Sequence, residues 1–287
     1  MNRTNPSETK LVICVWHAFR FWRPHRMMAE ALRKRWPEMR VLHLPDYDAL
    51  PPELPDTDIF VGYSLRAEQL KHAKKLKWIH STAAGVAQLV YPELRESGIL
   101  VTNPRGVFSV PMAEHTIGLI ISMARNFPDS VRFQDGSTWG QQQLWDLPQQ
   151  LSELNGKTLL IVGFGSIGEE LAKRARAFDM RVWGVTRSGK GDKGLAEKIV
   201  AASDLHAVLP EADYVVIAAP ETGETKKLIG AGQIARMKRG ARLINVGRGS
   251  LLDESALIPA LEKGHLAGAA LDVTAVEPLP ETSPLWK

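Results

Sequence analysis

Short apolar runs recur along the whole chain, and segments with helical spacing of apolar residues separate them. Several runs are nearly continuous in Val, Ile, Leu and Ala, which is typical of strands covered on both faces. Strands that alternate with helices predict parallel, doubly wound sheets. The predicted strands are residues 11–16, 40–44, 59–63, 77–81, 99–102, 158–162, 181–186, 214–219, 242–246 and 267–273.

This pattern predicts an α/β fold with two domains, each a doubly wound parallel sheet of the Rossmann-like or flavodoxin-like kind. A chain of 287 residues is long enough for two domains that each bury a core. Pro104 begins a loop at the join, and a helix is predicted over 112–125. The polar segment 127–155 predicts a connecting arm on the surface of the second domain. We therefore expect domains at 1–103 and 104–287.

Composition narrows the possible functions. Apolar residues make up 44% and charged residues 24% of the chain, as in soluble globular proteins. The net charge of +4 is spread along the chain, and the lysine-rich stretch 71–77 is typical of a solvated helix face, so we expect no nucleic-acid partner.

The single cysteine, Cys14, lies in an apolar strand and fits a reducing cytosol. No run approaches the roughly 20 apolar residues of a membrane span, and no metal site is predicted. We expect a cytoplasmic protein without membrane contacts.

The most informative motif is the GFGSIG turn at residues 163–168, between a predicted strand and an amphipathic helix. Gly163 permits a tight turn, Gly165 lets the backbone approach a pyrophosphate, and Gly168 lets the helix pack on the strand. Ser166 and Ile167 begin the helix, whose N-terminus supplies N–H donors and a positive dipole end. These five residues predict a dinucleotide site; the alternative is a glycine turn that only packs. The helix is predicted to bury residues 167, 171, 175 and 178.

The end of the next strand bears on which dinucleotide binds. NAD-binding versions usually place an acid about 20 residues past the turn, where it holds the ribose 2′-hydroxyl. This chain reads Thr186-Arg187-Ser188 there, with no acid before Lys190. Arg187 and Ser188 could hold a 2′-phosphate by charge-assisted bonds. The segment favours NADP(H), while NAD(H) stays possible if Arg187 is only a solvated loop residue.

Three later segments, each after a predicted strand, resemble the D-isomer-specific 2-hydroxyacid dehydrogenase family. They are AAPETGET at 218–225, NVGRG at 245–249 and ALDVTAVEPLP at 270–280. With the glycine turn, the resemblance covers most of the chain. It implies an oxidoreductase that transfers a hydride between NAD(P)H and a small 2-keto or D-2-hydroxy acid, such as glyoxylate or hydroxypyruvate. It also implies a homodimer, and the part of the arm at residues 133–150 is the candidate contact.

The resemblance assigns roles to single residues of these segments. Arg248 matches the family's catalytic arginine, which holds the substrate carboxylate and polarises its carbonyl. Glu277 matches the glutamate that pairs with a catalytic histidine. Asp272 matches the acid near the nicotinamide end of the cofactor. The remaining cofactor contacts implied by the resemblance are Pro220, Thr225, Val246, Gly247 and Arg248.

Two segments outside these three resemble the family as well. The loop 81–86 is similar to the family's substrate loop, in which the backbone N–H groups of Ala84, Gly85 and Val86 would grip the substrate carboxylate. The first domain is therefore expected to bind substrate and the second to bind dinucleotide. His115 matches a family helix beside the cofactor, and we expect it to be a packing residue rather than a catalyst.

The family's proton donor is a histidine beyond the glutamate, and this sequence ends at Lys287, ten residues past Glu277. His206 and His265 do not match that donor by motif, and the return segment that usually crosses back to the first domain is not in the sequence. From the sequence we expect a fragment or a naturally truncated protein. Its keto-acid reduction would be impaired, because losing a general acid typically costs about 10²–10⁴ in rate. The alternative is a non-catalytic dinucleotide-binding sensor or interaction protein of the same fold.

Overall fold

The computed structural model describes residues 9–16 and 26–286. The chain forms two compact units, one ending at Val107 and one beginning at Phe108. The predicted join, after residue 103, lies in the loop just before this point. Each cluster of buried apolar side chains in the described residues belongs to a single unit. Each unit therefore has its own core.

The first unit is a five-stranded parallel sheet with helices on both faces. Its strands are β1 (Lys10–Cys14), β2 (Arg40–Leu44), β3 (Ile59–Gly62), β4 (Trp78–Ser81) and β5 (Leu100–Thr102), and its helices are α1 (Arg26–Arg35), α2 (Ala67–Leu70) and α3 (Pro92–Glu96). The strand order is β2-β1-β3-β4-β5. Alternate residues of β1 enter opposite cores, with Val12 in one and Ile13 in the other.

The second unit is a six-stranded sheet, again parallel throughout. Its strands are β6 (Thr158–Val162), β7 (Arg181–Thr186), β8 (Lys198–Ala201), β9 (Tyr214–Ile217), β10 (Ala241–Asn245) and β11 (Leu266–Leu271). Its helices are α4 (Ser109–Ala124), α5 (Phe127–Asp135), α6 (Gln141–Trp145), α7 (Ser166–Arg176), α8 (Leu205–Val208), α9 (Ala231–Arg236) and α10 (Glu254–Glu262). The strand order is β11-β10-β9-β6-β7-β8.

Two helical layers cover this second sheet. Helices α4 and α7 pack together on one face, over Leu159 and Ile161 of β6. Residues of α8, α9 and α10 lie on the other face, over Leu160 and Val162. Because both faces are covered, every residue of β6 and β9 is buried. The predicted doubly wound α/β fold is confirmed.

Most predicted elements are present, and the differences have local causes. The strand β8 was not predicted, because its four residues form a partly buried edge strand. Helix α4 begins at Ser109, before Pro111, since proline is tolerated in a first helical turn. Helix α7 ends at Arg176, so the prediction that Phe178 is buried is wrong; this side chain is 42% exposed. The buried residues of α7 are Gly168, Leu171, Ala172 and Ala175, so the prediction is confirmed at 171 and 175, whereas Ile167 is only partly buried.

The predicted arm carries the two short helices α5 and α6, neither of which buries a side chain. The arm returns to the core at Leu154, just before the Asn155-Gly156 turn that leads into β6. None of the helices in the described part of the chain has the length and hydrophobicity that crossing a bilayer requires.

Candidate functional site

The carboxyl ends of all six strands of the second unit meet along one edge of its sheet. The chain runs outward from β6 to β7 and β8, and then continues with β9 on the opposite side of β6. Ligands of such sheets usually bind outside the strand ends at this switch point. The glycine turn follows β6 directly, so it lies where a ligand is expected.

Each glycine of the turn has different surroundings. Gly163 has a φ of +99°, and a Cβ there would lie 2.4 Å from the backbone nitrogen of Ala219. A Cβ on Gly168 would lie 3.0 Å from the carbonyl oxygen of Gly163, so α7 packs closely on its strand. A Cβ on Gly165 would meet no heavy atom within 4 Å. Gly163 is required by the fold and Gly168 allows a tight contact, whereas Gly165 leaves open space in front of the backbone.

That open space lies at the N-terminus of a long helix. Gly165 caps α7, and its carbonyl accepts the first helical bond, from the Glu169 N–H at 2.8 Å. The N–H groups of Ser166, Ile167 and Gly168 therefore have no acceptor within the helix. Free donors, a positive dipole end and open space coincide, so the turn fits a pyrophosphate.

The loop after β7 displays Arg187 and Ser188 to solvent. The Thr186 hydroxyl donates to the Lys190 carbonyl at 3.0 Å and so closes the loop. The Arg187 Nη2 donates to Glu224 Oε1 at 2.9 Å. The segment 186–190 contains no acid, but the structure brings Glu224 to it from the loop after β9. Sequence reasoning missed Glu224 because the two residues lie 37 positions apart.

The loop after β9 is held by Thr225. Its hydroxyl accepts the Thr222 N–H at 2.7 Å and donates to the Pro220 carbonyl at 2.8 Å. Ala219 of the same loop packs against Gly163 on one side. On the other side, the Ala219 carbonyl oxygen would lie 3.0 Å from a Cβ on Gly247. Two glycines thus let three neighbouring loops touch.

Asn245 organises the loop that carries Arg248. It is fully buried; its Oδ1 accepts the Gly247 N–H at 3.1 Å, and its Nδ2 donates to the Arg248 carbonyl at 3.0 Å. The Val246 side chain is buried in the core beneath α4 and α7. The Arg248 side chain is exposed, and its Nη1 donates to the Gly247 carbonyl at 2.7 Å. A guanidinium on a fixed loop suits recognition of a carboxylate.

The segment that follows β11 packs onto the Arg248 loop. A Cβ on Gly249 would lie 2.0 Å from the carbonyl carbon and oxygen of Thr274, so only glycine permits this contact. The Thr274 N–H donates to Glu277 Oε1 at 3.0 Å, which holds the Glu277 carboxylate in its own turn. The Ala275 N–H donates to Glu254 Oε1 at 2.6 Å. Glu254, at the start of α10, was not predicted, because an acid in the first helical turn is ordinary helix chemistry.

Asp272 contacts a histidine of α4. Its Oδ1 lies 3.2 Å from His115 Nε2, and the His115 side chain is nearly half exposed. His115 is therefore not packed in the core, contrary to expectation, and the expectation that it is not a catalyst stays a prediction. Its neighbours Ala113, Thr116 and Ile117 fill the core instead, and His115 lies on the solvent side of α4 beside a carboxylate.

Within the first unit, the predicted substrate loop follows β4. The Asn103 side-chain amide donates to the Ala84 carbonyl, and that of Gln88 donates to the Gly85 carbonyl at 3.4 Å. Among the described residues, no hydrogen bond uses the backbone N–H of Ala84, Gly85 or Val86. Three adjacent N–H donors of this loop therefore have no acceptor within the described residues.

Cys14 is not part of a reactive site. Its side chain is fully buried in β1, and its thiol donates to the Asp46 carbonyl at 3.2 Å. Burial, and then the Asp46 carboxylate, raise the pKa of the thiol to about 12. The prediction of a buried strand thiol is confirmed.

Direct contacts thus join the predicted loops of the second unit into one edge. The glycine turn contacts the loop after β9, and that loop contacts the Arg248 loop. The Arg248 loop also contacts the segment that carries Asp272 and Glu277. The predicted cofactor residues and both predicted catalytic residues share this edge. Ala84, Gly85 and Val86 belong to the first unit.

Comparison with known proteins identifies the family. Residues 117–287 match the family model described as "D-isomer specific 2-hydroxyacid dehydrogenase, NAD binding domain". The chain is 36% identical over 259 residues to a glyoxylate reductase of Thermofilum pendens, covering 88% of this chain and 74% of that protein. It is 34% identical over 236 residues to a D-3-phosphoglycerate dehydrogenase of Methanocaldococcus jannaschii, covering 81% of this chain but 44% of that protein.

A solved structure agrees with these matches. A D-isomer specific 2-hydroxyacid dehydrogenase family protein from Aeromonas salmonicida superposes with a TM-score of 0.81 at 33% identity, covering 97% of this chain and 86% of that one. The similarity extends across both units, because the matched share is nearly the whole chain. The protein belongs to the D-isomer specific 2-hydroxyacid dehydrogenase family.

Proposed function

We propose that the protein is an NAD(P)-dependent oxidoreductase that transfers a hydride between its cofactor and a small 2-keto or D-2-hydroxy acid. The contact between Gly249 and Thr274 carries the proposal, because it joins the loops of Arg248 and Glu277 on the edge that holds the glycine turn. Glyoxylate is the first substrate to test, since the Thermofilum pendens relative is named a glyoxylate reductase. Hydroxypyruvate is the second.

The glycine turn would hold the pyrophosphate through its open space and the helical N–H groups at 166–168. A bound nicotinamide would supply or accept the hydride. Arg187 and Ser188 would hold a 2′-phosphate, so we propose NADP(H) as the preferred cofactor, with NAD(H) possible. The rest of the cofactor would lie along Thr186, Pro220, Thr225, Val246, Gly247, Arg248 and Asp272.

The substrate carboxylate would be held by charge and by backbone donors. Arg248 would bind it and polarise the neighbouring carbonyl, because its planar donors are permanently charged. We assign substrate binding to the first unit through the backbone N–H groups of Ala84, Gly85 and Val86, which have no acceptor among the described residues. Glu277 would orient the proton-donating histidine that the family resemblance implies. Its Oε1 accepts the Thr274 N–H, and no hydrogen bond within the described residues uses its Oε2, which leaves that oxygen for the histidine.

We also propose a cytoplasmic homodimer. Trp139 and Trp145 of the arm are 89% and 68% exposed, and large exposed aromatic side chains often mark an interaction surface. Light scattering should give the mass of two chains, and Trp139→Glu with Trp145→Glu should give the mass of one. Trp286→Glu changes an exposed tryptophan outside the arm and should leave the dimer intact. The cytoplasmic location is proposed because the single cysteine, Cys14, is a free and buried thiol, which suits a reducing compartment.

The reaction is tested with the product of the complete reading frame that contains this chain. NADPH and NADH oxidation are measured with glyoxylate, hydroxypyruvate and pyruvate, and Arg248→Gln serves as the control. We expect oxidation with at least one acid, and a kcat/KM about 10²–10³ lower for the variant. No oxidation with any acid, while NADPH still binds, would favour a non-catalytic dinucleotide sensor. Equal rates with both cofactors would remove the role of Arg187.

A further inference from the structure

We propose that Glu224 determines how strongly the site prefers NADPH over NADH, because it competes with the cofactor 2′-phosphate for Arg187. This inference rests on the proposed cofactor role of Arg187. It adds a carboxylate to a segment, residues 181–190, that contains no acid of its own.

The pairing of these two residues follows from the fold. The Arg187 Nη2 lies 2.9 Å from Glu224 Oε1, and the pair joins the loop after β7 to the loop after β9. Thr186 closes the first loop through the Lys190 carbonyl, and Thr225 closes the second through the Thr222 N–H. Both side chains thus leave fixed backbone positions, so the carboxylate stays near the arginine whether or not they are bonded.

The pair is also easy to open. The side chains of Arg187 and Glu224 are 85% and 70% exposed, and exposed ion pairs contribute little to stability. A phosphate dianion carries more charge than one carboxylate, so it can displace Glu224 from the guanidinium. The displaced carboxylate then remains close to the phosphate and repels it.

NADH differs from NADPH in the group that would lie beside Glu224. Its 2′-hydroxyl carries no charge and can donate a hydrogen bond, which is how an acid at the end of the second strand usually recognises NAD. Glu224 would therefore oppose NADPH while tolerating or favouring NADH. The loop after β7 contains the arginine of an NADP site, Arg187. The loop after β9 supplies the acid of an NAD site, Glu224.

The test measures cofactor binding without turnover. Calorimetric Kd values for NADPH, NADH, 2′,5′-ADP and 5′-AMP are compared in the 287-residue chain and in Glu224→Gln at low salt. We expect Glu224→Gln to tighten NADPH and 2′,5′-ADP binding about threefold to tenfold and to leave NADH and 5′-AMP unchanged or weaker. Adding Arg187→Gln should abolish this gain.

The matched control is Glu221→Gln, which removes the same charge from an exposed residue of the same loop that has no ion pair within the described residues. Its Kd values should stay within about twofold of the parent chain. Equal gains from both variants, or no gain from Glu224→Gln while NADPH still binds, would overturn the proposal. If Arg187→Gln alone leaves NADPH binding unchanged, the 2′-phosphate role fails and the proposal with it. If no variant binds either dinucleotide, the proposed cofactor site itself is wrong.

Discussion

At the residue scale, the glycines of the turn are needed for different physical reasons, and substitutions should separate them. Gly163→Ala places a Cβ 2.4 Å from the Ala219 nitrogen at a φ of +99°. We expect it to lower the free energy of unfolding by about 2 kcal/mol or more. Gly165→Ala meets no atom and should cost about 1 kcal/mol or less. Urea unfolding measures both values, and equal losses would contradict this assignment.

The thiol of Cys14 gives a pH dependence at the same scale. Burial, and then Asp46, raise its pKa from 9.0 to about 12, so the folded chain keeps a proton that the unfolded chain releases. The stabilisation is complete below pH 9 and is lost as the pH rises toward 12. The unfolding free energy of the parent chain should therefore approach that of Cys14→Ala between about pH 8 and about pH 10. A gap that stays constant over this range would show that the thiol is not shielded.

At the element scale, what the sequence predicts depends on how local the signal is. The strands and the glycine turn follow from apolar runs and glycine spacing within short windows. The edge strand β8 escapes prediction because its four partly buried residues form a weak signal. The contacts between Arg187 and Glu224 and between Gly249 and Thr274 join loops on different strands. They depend on strand order and register, which no short window of sequence contains.

A side chain of α10, Glu254, accepts a hydrogen bond from the segment that carries Asp272 and Glu277. Hydrogen exchange tests whether this bond stabilises the segment. Glu254 accepts the Ala275 N–H at 2.6 Å, so Glu254→Ala should speed exchange of the Ala275 amide by about fivefold to tenfold. Glu254→Gln keeps an acceptor oxygen and should retain most of the protection. If the alanine variant exchanges like the parent chain, Glu254 does not hold the segment.

At the scale of the whole molecule, the two units have separate cores. Every buried apolar cluster in the described part of the chain lies within one unit, and the second unit alone contains the whole strand edge with the glycine turn. We therefore expect residues 108–287, expressed alone, to unfold cooperatively and to bind NADPH within about threefold of the affinity of the whole chain. Calorimetry of unfolding and of binding checks this. A fragment that folds without binding would show that the first unit is needed for the cofactor.

We propose that the turn at 163–168 binds a nicotinamide dinucleotide through the open space at Gly165. Titration of the 287-residue chain with NADPH, followed by nicotinamide fluorescence, measures this binding. Saturable binding of one cofactor per chain is predicted for the parent. Gly165→Ala, whose fold should persist, is predicted to bind at least about tenfold more weakly, because its methyl group occupies the space that the pyrophosphate needs. An absence of saturable binding, or equal affinity in the two proteins, would contradict the claim.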